Sequence, residues 1–292
     1  MNSPSTRDTI FPEQAQILSH QALAGDQYIL RVQAPECARH ARPGSFAHIQ
    51  CAPSLPLRRP ISIMRTSAAE GWVEFLYKAV GEGTRLLAQR EVGQLLDQLA
   101  PIGRPFELHQ ERSRPLLIGG GVGMPPMIFM SQELAGNNSF KPLVILGSEV
   151  PFPFRPEPSK LLLPGLPEGV IGCMPLLDHW GIPSRLASLA GFAGCFQGYV
   201  TDLARHWLQS LEPQSRIEVE IFACGPHPML QAVARLATEF DLPCQISLEE
   251  FMACAVGGCA GCTVAVETAA GQAMKRVCVD GPVFDALEVF PA

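Results

Sequence analysis

The sequence predicts a multidomain β plus α/β protein of three parts: an N-terminal antiparallel β-barrel, a doubly wound parallel-sheet nucleotide domain, and a small cysteine-rich C-terminal domain. Three observations predict it. From Gln27 to about Leu108, short alternating apolar stretches (QYILRVQ, SFAHIQ, ISIMRT, WVEFLYK, GQLLDQL) recur between Gly and Pro, as in a small antiparallel barrel. The run Arg114-Pro-Leu-Leu-Ile118 ends in a glycine loop and a helical stretch, the pattern of a parallel α/β unit. Near the C-terminus, Cys254, Cys259, Cys262 and Cys278 are spaced C-x4-C-x2-C-x15-C. The expected domains are 1–110, 111–242 and 243–292.

Composition bounds the function. Hydrophobic residues make up 47% of the 292 and charged residues 17%, as in a globular chain with a sizeable core. A formal charge of −6 argues against a nucleic-acid surface, which needs clustered Lys and Arg. No apolar run is long enough to predict a membrane span, and MNSPSTRDTIFPEQ lacks the pattern of a signal peptide. The expected compartment is the cytoplasm. Ten cysteines there point to metal or redox use rather than disulfides; Cys37, Cys51, Cys173, Cys195 and Cys244 show no ligand spacing and read as packing residues.

In the barrel, Arg58-Arg59-Pro60-Ile61-Ser62-Ile63 puts a cation, a rigid φ and a hydroxyl on one extended segment. Arg59 is suited to grip a pyrophosphate and Ser62 to address a ring edge; taken alone, such a segment is more often an ordinary turn with a surface charge. Leu76-Tyr77-Lys78 and Gly81-Glu82-Gly83-Thr84 follow. Thr84 reads as the cap of a short helix whose N–H groups meet a phosphate, or as a plain N-cap. Tyr77 reads as a flavin-side or simply half-buried aromatic. The order RPIS, LYK, GEGT resembles the FAD-binding domain of the ferredoxin-NADP reductase superfamily. That resemblance implies that Arg59, Pro60, Ile61, Ser62, Leu76, Tyr77, Lys78, Gly83 and Thr84 line FAD, with Ser62 tuning flavin N5. One departure is Ala100, where relatives usually carry Gly, which is expected to alter a turn.

In the middle third, Gly119 to Gly123 joins the apolar run to the helix MIFMSQELAG, with Pro126 near its start and Gly136 after its end. Gly120, Gly121 and Gly123 let backbone approach a dinucleotide pyrophosphate at a helix N-terminus. The spacing does not satisfy G-x-G-x-x-G, so no dehydrogenase-type fingerprint is claimed. Pro142–Leu146 is the expected second parallel strand, and Glu149 after it is either an acceptor for an adenosine ribose, favouring NADH over NADPH, or a solvated loop residue. Prolines between Val150 and Glu168 predict an irregular excursion, and a helix opens near Thr201 or Asp202 as cap. Ile217–Cys224 is a further strand followed by Gly225 and Pro226. In the reductase superfamily a Cys-Gly-Pro at this place lies beside the nicotinamide; Cys224 alone also reads as a small buried residue.

Four thiolates suit a [2Fe-2S] cluster, two for each iron, and C-x4-C-x2-C is the plant-type ferredoxin spacing. Ala255, Gly257, Gly258, Ala260 and Gly261 leave room for the loop to wrap and to aim N–H groups at sulfur. A four-cysteine zinc site usually shows paired C-x2-C knuckles, of which only Cys259 and Cys262 make one; packing alone leaves three thiols in nine residues unexplained. The whole pattern, ending in Cys278-Val-Asp-Gly-Pro-Val-Phe284, is similar to the electron-transfer subunits of NAD-dependent dihydroorotate dehydrogenases. The resemblance implies FAD, a [2Fe-2S] cluster and NAD(H) as cofactors, and an FMN-containing dihydroorotate dehydrogenase catalytic subunit as partner in a heterotetramer serving pyrimidine biosynthesis. Phe251 departs from the usual arginine, and the stretch from 171 to 197 is atypical. Nicotinamide exchanges a hydride and the cluster one electron, and a flavin between them exchanges either. Two other readings stand: an NAD(P)H-dependent reductase subunit for another acceptor (hydrogenase, sulfur-metabolising enzyme or oxygenase), and a non-catalytic zinc protein.

Overall fold

Six antiparallel strands close on themselves in the N-terminal third of the computed structural model, in which residues 9–291 are described; residues 1–8 of the polar N-terminal stretch lie outside them. The elements are β1 (Phe11–Leu23), β2 (Gln27–Gln33), α1 (Pro35–His40), β3 (Phe46–Ile49), β4 (Arg59–Ser67), β5 (Trp72–Lys78), α2 (Glu82–Leu87) and β6 (Leu95–Ile102). The barrel order is β1-β2-β5-β4-β3-β6. Leu30, Val32, Ile49, Ile63, Val73, Phe75 and Leu96 fill the interior at 1% exposure or less. Each contributes about 1.5–3 kcal/mol by leaving water.

Sequence reasoning passes over β1, the strand that closes the barrel by pairing with both β2 and β6. Its alternation is faint because only Ala15 and Ile17 are buried. Ala100 is corrected too. It lies inside β6 opposite Phe11 and is fully buried; the left-handed position is Gly103, φ 97°, so alanine at 100 disturbs no turn. Thr84 is not a cap: the N-cap of α2 is Gly81, and the Thr84 hydroxyl reaches back to accept from its N–H and donate to its carbonyl, both at 3.2 Å.

The following elements are β7 (Arg114–Gly120), α3 (Met124–Leu134), β8 (Leu143–Gly147), β9 (Glu157–Pro158), β10 (Gly172–Cys173), α4 (Pro175–His179), β11 (Ser184–Ala187), α5 (Val200–Ser210), α6 (Pro213–Arg216), β12 (Val219–Cys224), α7 (His227–Phe240) and β13 (Cys244–Ser247). Last come the hairpin β14 (Thr263–Thr268) and β15 (Gly271–Arg276), then β16 (Val283–Asp285) and α8 (Ala286–Val289). The second sheet has the order β11-β8-β7-β12-β13-β16, with β11 to β13 parallel. From β7 the chain moves outward through β8 and β11, then returns to the other side of β7 to lay down β12 and β13. The strand order therefore reverses between β7 and β12, the place where open α/β sheets bind ligands at their carboxyl ends.

The proline-rich excursion is irregular apart from the two-residue ladder of β9 and β10. Helix α5 begins one residue before the expected caps: Tyr199 is its N-cap with no side-chain hydrogen bond. The reason is packing. Val200 sits against Gly147, where a Cβ would meet its Cγ1 at 2.5 Å, and Thr201 is buried at N2. The chain divides into two compact units, residues 1–105 with 248–283 and residues 106–247 with 284–292. No helix among the described residues is long and apolar enough to cross a membrane.

Candidate functional site

The cluster loop is built by backbone that most residues avoid. Ala255 (φ 55°), Gly257 (φ 79°) and Ala260 (φ 54°) all sit in the left-handed region, which turns successive N–H groups inward. The Gly261 N–H donates to Cys259 Sγ at 3.4 Å. Burial pushes the Cys254 thiol up, but the N–H groups of Val256, Cys259 and Gly258 together with the Cys259 thiol outweigh it, bringing it down to about 7. Burial, then the hydrogen-bonded Cys262 thiol, pushes Cys278 up to about 12.

Among the described residues no three His, Cys, Asp or Glu side chains converge as on one metal ion. Four thiols spaced C-x4-C-x2-C-x15-C, on a loop turned by left-handed residues at Ala255, Gly257 and Ala260, fit a [2Fe-2S] cluster. Arg276 braces the loop. Its guanidinium donates to the Gly257 carbonyl at 3.0 Å, its own N–H donates to Asp280 at 2.8 Å, and the next residue, Val277, donates to the Cys262 carbonyl at 3.0 Å. Cys262 and Cys278 are buried, Cys254 is half-buried and Cys259 exposed, and no disulfide is present among the described residues.

On the barrel, the register decides which residues of RPIS share a face. Ser62 pairs with Phe46, Ile61 with Ala47, Pro60 with His48 and Arg59 with Ile49. Pro60 and Ser62 therefore lie on one face, while Ile61, 6% exposed, turns toward the core. Arg59 lies over Gly83 of α2: a Cβ on that glycine would meet Arg59 Nε at 2.7 Å. Its guanidinium donates only to the Leu57 and Arg58 carbonyls at 2.9 and 3.2 Å, with no carboxylate partner among the described residues. A cation without a counter-ion, held on a glycine cradle, fits the pyrophosphate of FAD. Lys78 ends β5 half-buried. Leu76 and Tyr77 are buried, and Tyr77 stacks on Tyr28 with its hydroxyl 2.7 Å from His20 Nε2.

In the parallel sheet, β7 and β12 bring the two nucleotide motifs together, with Cys224 paired to Gly119. A Cβ at Gly123 would meet the Cys224 carbonyl at 2.4 Å, and one at Gly120 would meet Met229 Sδ at 2.4 Å. Gly121, φ 55°, faces open space. Backbone can thus approach a dinucleotide at the N-terminus of α3, with Gly225 and Pro226 alongside. Cys224 is fully buried. Glu149 is exposed two residues beyond β8.

Over 277 residues the chain is 32% identical to the dihydroorotate dehydrogenase B (NAD(+)) electron transfer subunit of Desulforamulus reducens, covering 94% of this chain and 97% of that protein. The chain belongs to this family of electron transfer subunits. The subunit of Bacillus caldolyticus is likewise 32% identical, over 95% of this chain and 98% of its own. The iron-sulfur cluster binding domain of dihydroorotate dehydrogenase B matches residues 249–290. Among solved structures, an NADH-dependent reduced ferredoxin-NADP oxidoreductase superposes with a TM-score of 0.75 at 25% identity, over 95% of this chain and 90% of the other. The ferredoxin reductase of carbazole 1,9a-dioxygenase shares the fold, with a TM-score of 0.59 at 20% identity over 80% of this chain and 67% of that one.

Against that family background, two histidines of the barrel escaped the sequence reading. His20, on the overlooked β1, holds Tyr77. His48, in the middle of SFAHIQ, is a polar residue at a buried strand position, and that mismatch was its only signal.

Proposed function

We propose that this electron transfer subunit passes electrons between NAD(H), FAD and a [2Fe-2S] cluster for an FMN-containing dihydroorotate dehydrogenase catalytic subunit, as a cytoplasmic heterotetramer. The observation that carries this reading is the C-x4-C-x2-C-x15-C loop with its left-handed backbone at Ala255, Gly257 and Ala260. Cys254, Cys259, Cys262 and Cys278 would hold the two irons. When bound, FAD supplies the exchange between a hydride and single electrons. Arg59 neutralises its pyrophosphate beside Gly83 and Thr84, Pro60 and Ser62 present its ring, Ile61 shapes the strand from the core side, and Leu76, Tyr77 and Lys78 line its flank. Gly120, Gly121 and Gly123 admit the pyrophosphate of NAD(H), while Cys224, Gly225 and Pro226 border the nicotinamide. Glu149 accepts from the adenosine ribose and repels a 2′-phosphate. The domains are 1–110 for FAD, 111–242 for NAD and 243–292 for the cluster.

The test is an anaerobic visible spectrum and EPR of the purified chain before and after NADH. The expected result is flavin absorption that bleaches together with the appearance of a reduced [2Fe-2S] signal. A colourless zinc protein that stays colourless after reconstitution overturns the reading. Co-expression with a dihydroorotate-oxidising FMN enzyme tests the partner, and failure of the two to co-purify removes that part of the proposal.

A further inference from the structure

Glu149 is an exposed carboxylate with no hydrogen bond or ion pair among the described residues, yet the backbone around it is held by two buried hydroxyls. Strands β8 and β11 run parallel and end in register, Gly147 beside Ala187, so Ser148 and Ser188 are the first residues past the paired ends of adjacent strands. Ser148 is 7% exposed and Ser188 3%. The Ser148 hydroxyl donates to the Val150 carbonyl at 2.7 Å and accepts from the Val150 N–H at 3.3 Å, closing a bridge across Glu149. From the neighbouring strand, the Ser188 hydroxyl donates to the Ser148 carbonyl at 2.6 Å and accepts from the Ala190 N–H at 3.1 Å. In the other direction the Ser148 N–H donates to the Ala187 carbonyl at 3.3 Å.

A solvated loop glutamate needs none of this. Fixing a loop residue's backbone costs conformational entropy, and a ligand that has to fix it on arrival binds more weakly by that amount. Here folding has already fixed it. The turn is also anchored at its base: the Ser188 N–H donates to the Phe196 carbonyl at 2.9 Å, and Gly147 is wedged against Val200, where a Cβ would meet Cγ1 at 2.5 Å. The Ser188 hydroxyl is fully engaged by two backbone groups, so it acts on the turn and has no donor left for a ligand. All of this stands at the carboxyl ends of parallel strands of one compact unit, the edge at which open α/β sheets bind ligands.

We propose that Ser188 is a positioning residue that sets the choice between NADH and NADPH, by fixing through the Ser148 carbonyl the turn that presents Glu149 to the adenosine ribose. The proposal rests on the role given to Glu149 above. A carboxylate held at one point accepts from a ribose 2′-hydroxyl and opposes a 2′-phosphate, whereas one that swings away does less of both. Preference between the two nucleotides therefore depends on a hydroxyl that contacts neither.

Affinities of the FAD-loaded chain for NAD+ and NADP+, measured by isothermal titration calorimetry, give a preference ratio that a general loss of folded protein does not move, because it lowers both. Glu149→Ala is expected to lower the ratio about 10-fold or more, the loss of a hydrogen bond to a charged group, and Ser188→Ala about 3- to 10-fold. Ser188→Thr keeps the hydroxyl and is expected to stay near wild type, and the S188A/E149A double variant to equal E149A, because Ser188 acts only through Glu149. A ratio unchanged in S188A while E149A lowers it, an S188T variant as altered as S188A, or a double variant that falls below E149A overturns the proposal and leaves the ribose role of Glu149 standing. A ratio unchanged in E149A overturns that role and the proposal with it. Should S188A not accumulate folded, Ser188→Cys, a weaker donor of similar shape, replaces it, and an unchanged ratio there overturns the proposal.

Discussion

Gly83 shows how much one absent methyl group can decide. Its Cα lies so close to Arg59 that an added Cβ would stand 2.7 Å from Nε and 3.1 Å from Cζ. The guanidinium is the far end of a flexible side chain and would move before the backbone does. Gly83→Ala is therefore expected to leave the barrel folded but displace the group assigned to the FAD pyrophosphate. Losing one charge-assisted hydrogen bond, about 1.5–3 kcal/mol, weakens FAD binding roughly 10- to 100-fold, as fluorescence titration of flavin release would report. An unchanged affinity would detach Arg59 from the flavin. The importance of this glycine was legible from the GEGT motif, but the identity of the group lying on it was not, because the contact joins α2 to β4. Glu220, a single buried polar residue, was illegible for the same reason: its partners His109 and Gln245 lie far away in sequence.

Between elements, the clearest electrostatic tie joins β12 to its flanks in the parallel sheet. Glu220, 1% exposed near the start of β12, accepts from His109 Nδ1 at 2.9 Å and from the Gln245 amide of β13 at 2.8 Å. The hydrogen bond that His109 donates to Glu220 raises the His109 pKa above its ordinary 6.5; burial opposes it, and Glu220, Glu111 and Glu107 add attraction. The sign follows from that direction. A histidine raised on folding gives its full stabilisation below about 6.5 and loses it as pH climbs through the higher folded value. Thermal melts between pH 6 and 9 should therefore show a fall that His109→Phe flattens, of no more than about 1 kcal/mol because the ring is half-exposed and screened. A wild-type slope retained in the variant would assign the fall to other groups. At this scale the strands β2 to β8 and β12 were legible from apolar alternation or apolar runs. Strand β1 was not, since two buried residues in thirteen make no period, and Val200 shows how packing can move a helix start away from a good capping residue.

At the scale of the molecule, the chain carries separable chemistries on separate structural parts. Cys278→Ser removes one of the four thiols of the cluster spacing while leaving Arg59, Gly83 and the β7–β12 junction untouched. It is expected to abolish the reduced [2Fe-2S] EPR signal while NADH still bleaches the flavin. Loss of flavin reduction as well would mean that the barrel depends on an intact cluster loop. The order of modules and their cofactors was legible because spacing and motif are local properties. The path of the chain was not: residues 248–283 return to the unit begun by residues 1–105.

That return has a consequence for synthesis on the ribosome. The barrel strands emerge first, yet Gly103 and Arg104 receive Pro282 and Gly281 only after the whole of the intervening parallel sheet has been made. Throughout translation of the intervening sheet, the surface around Phe46 and His48 waits uncovered. A nascent chain in that state exposes apolar surface around Phe46 that is buried once Pro282 stands beside Gly103.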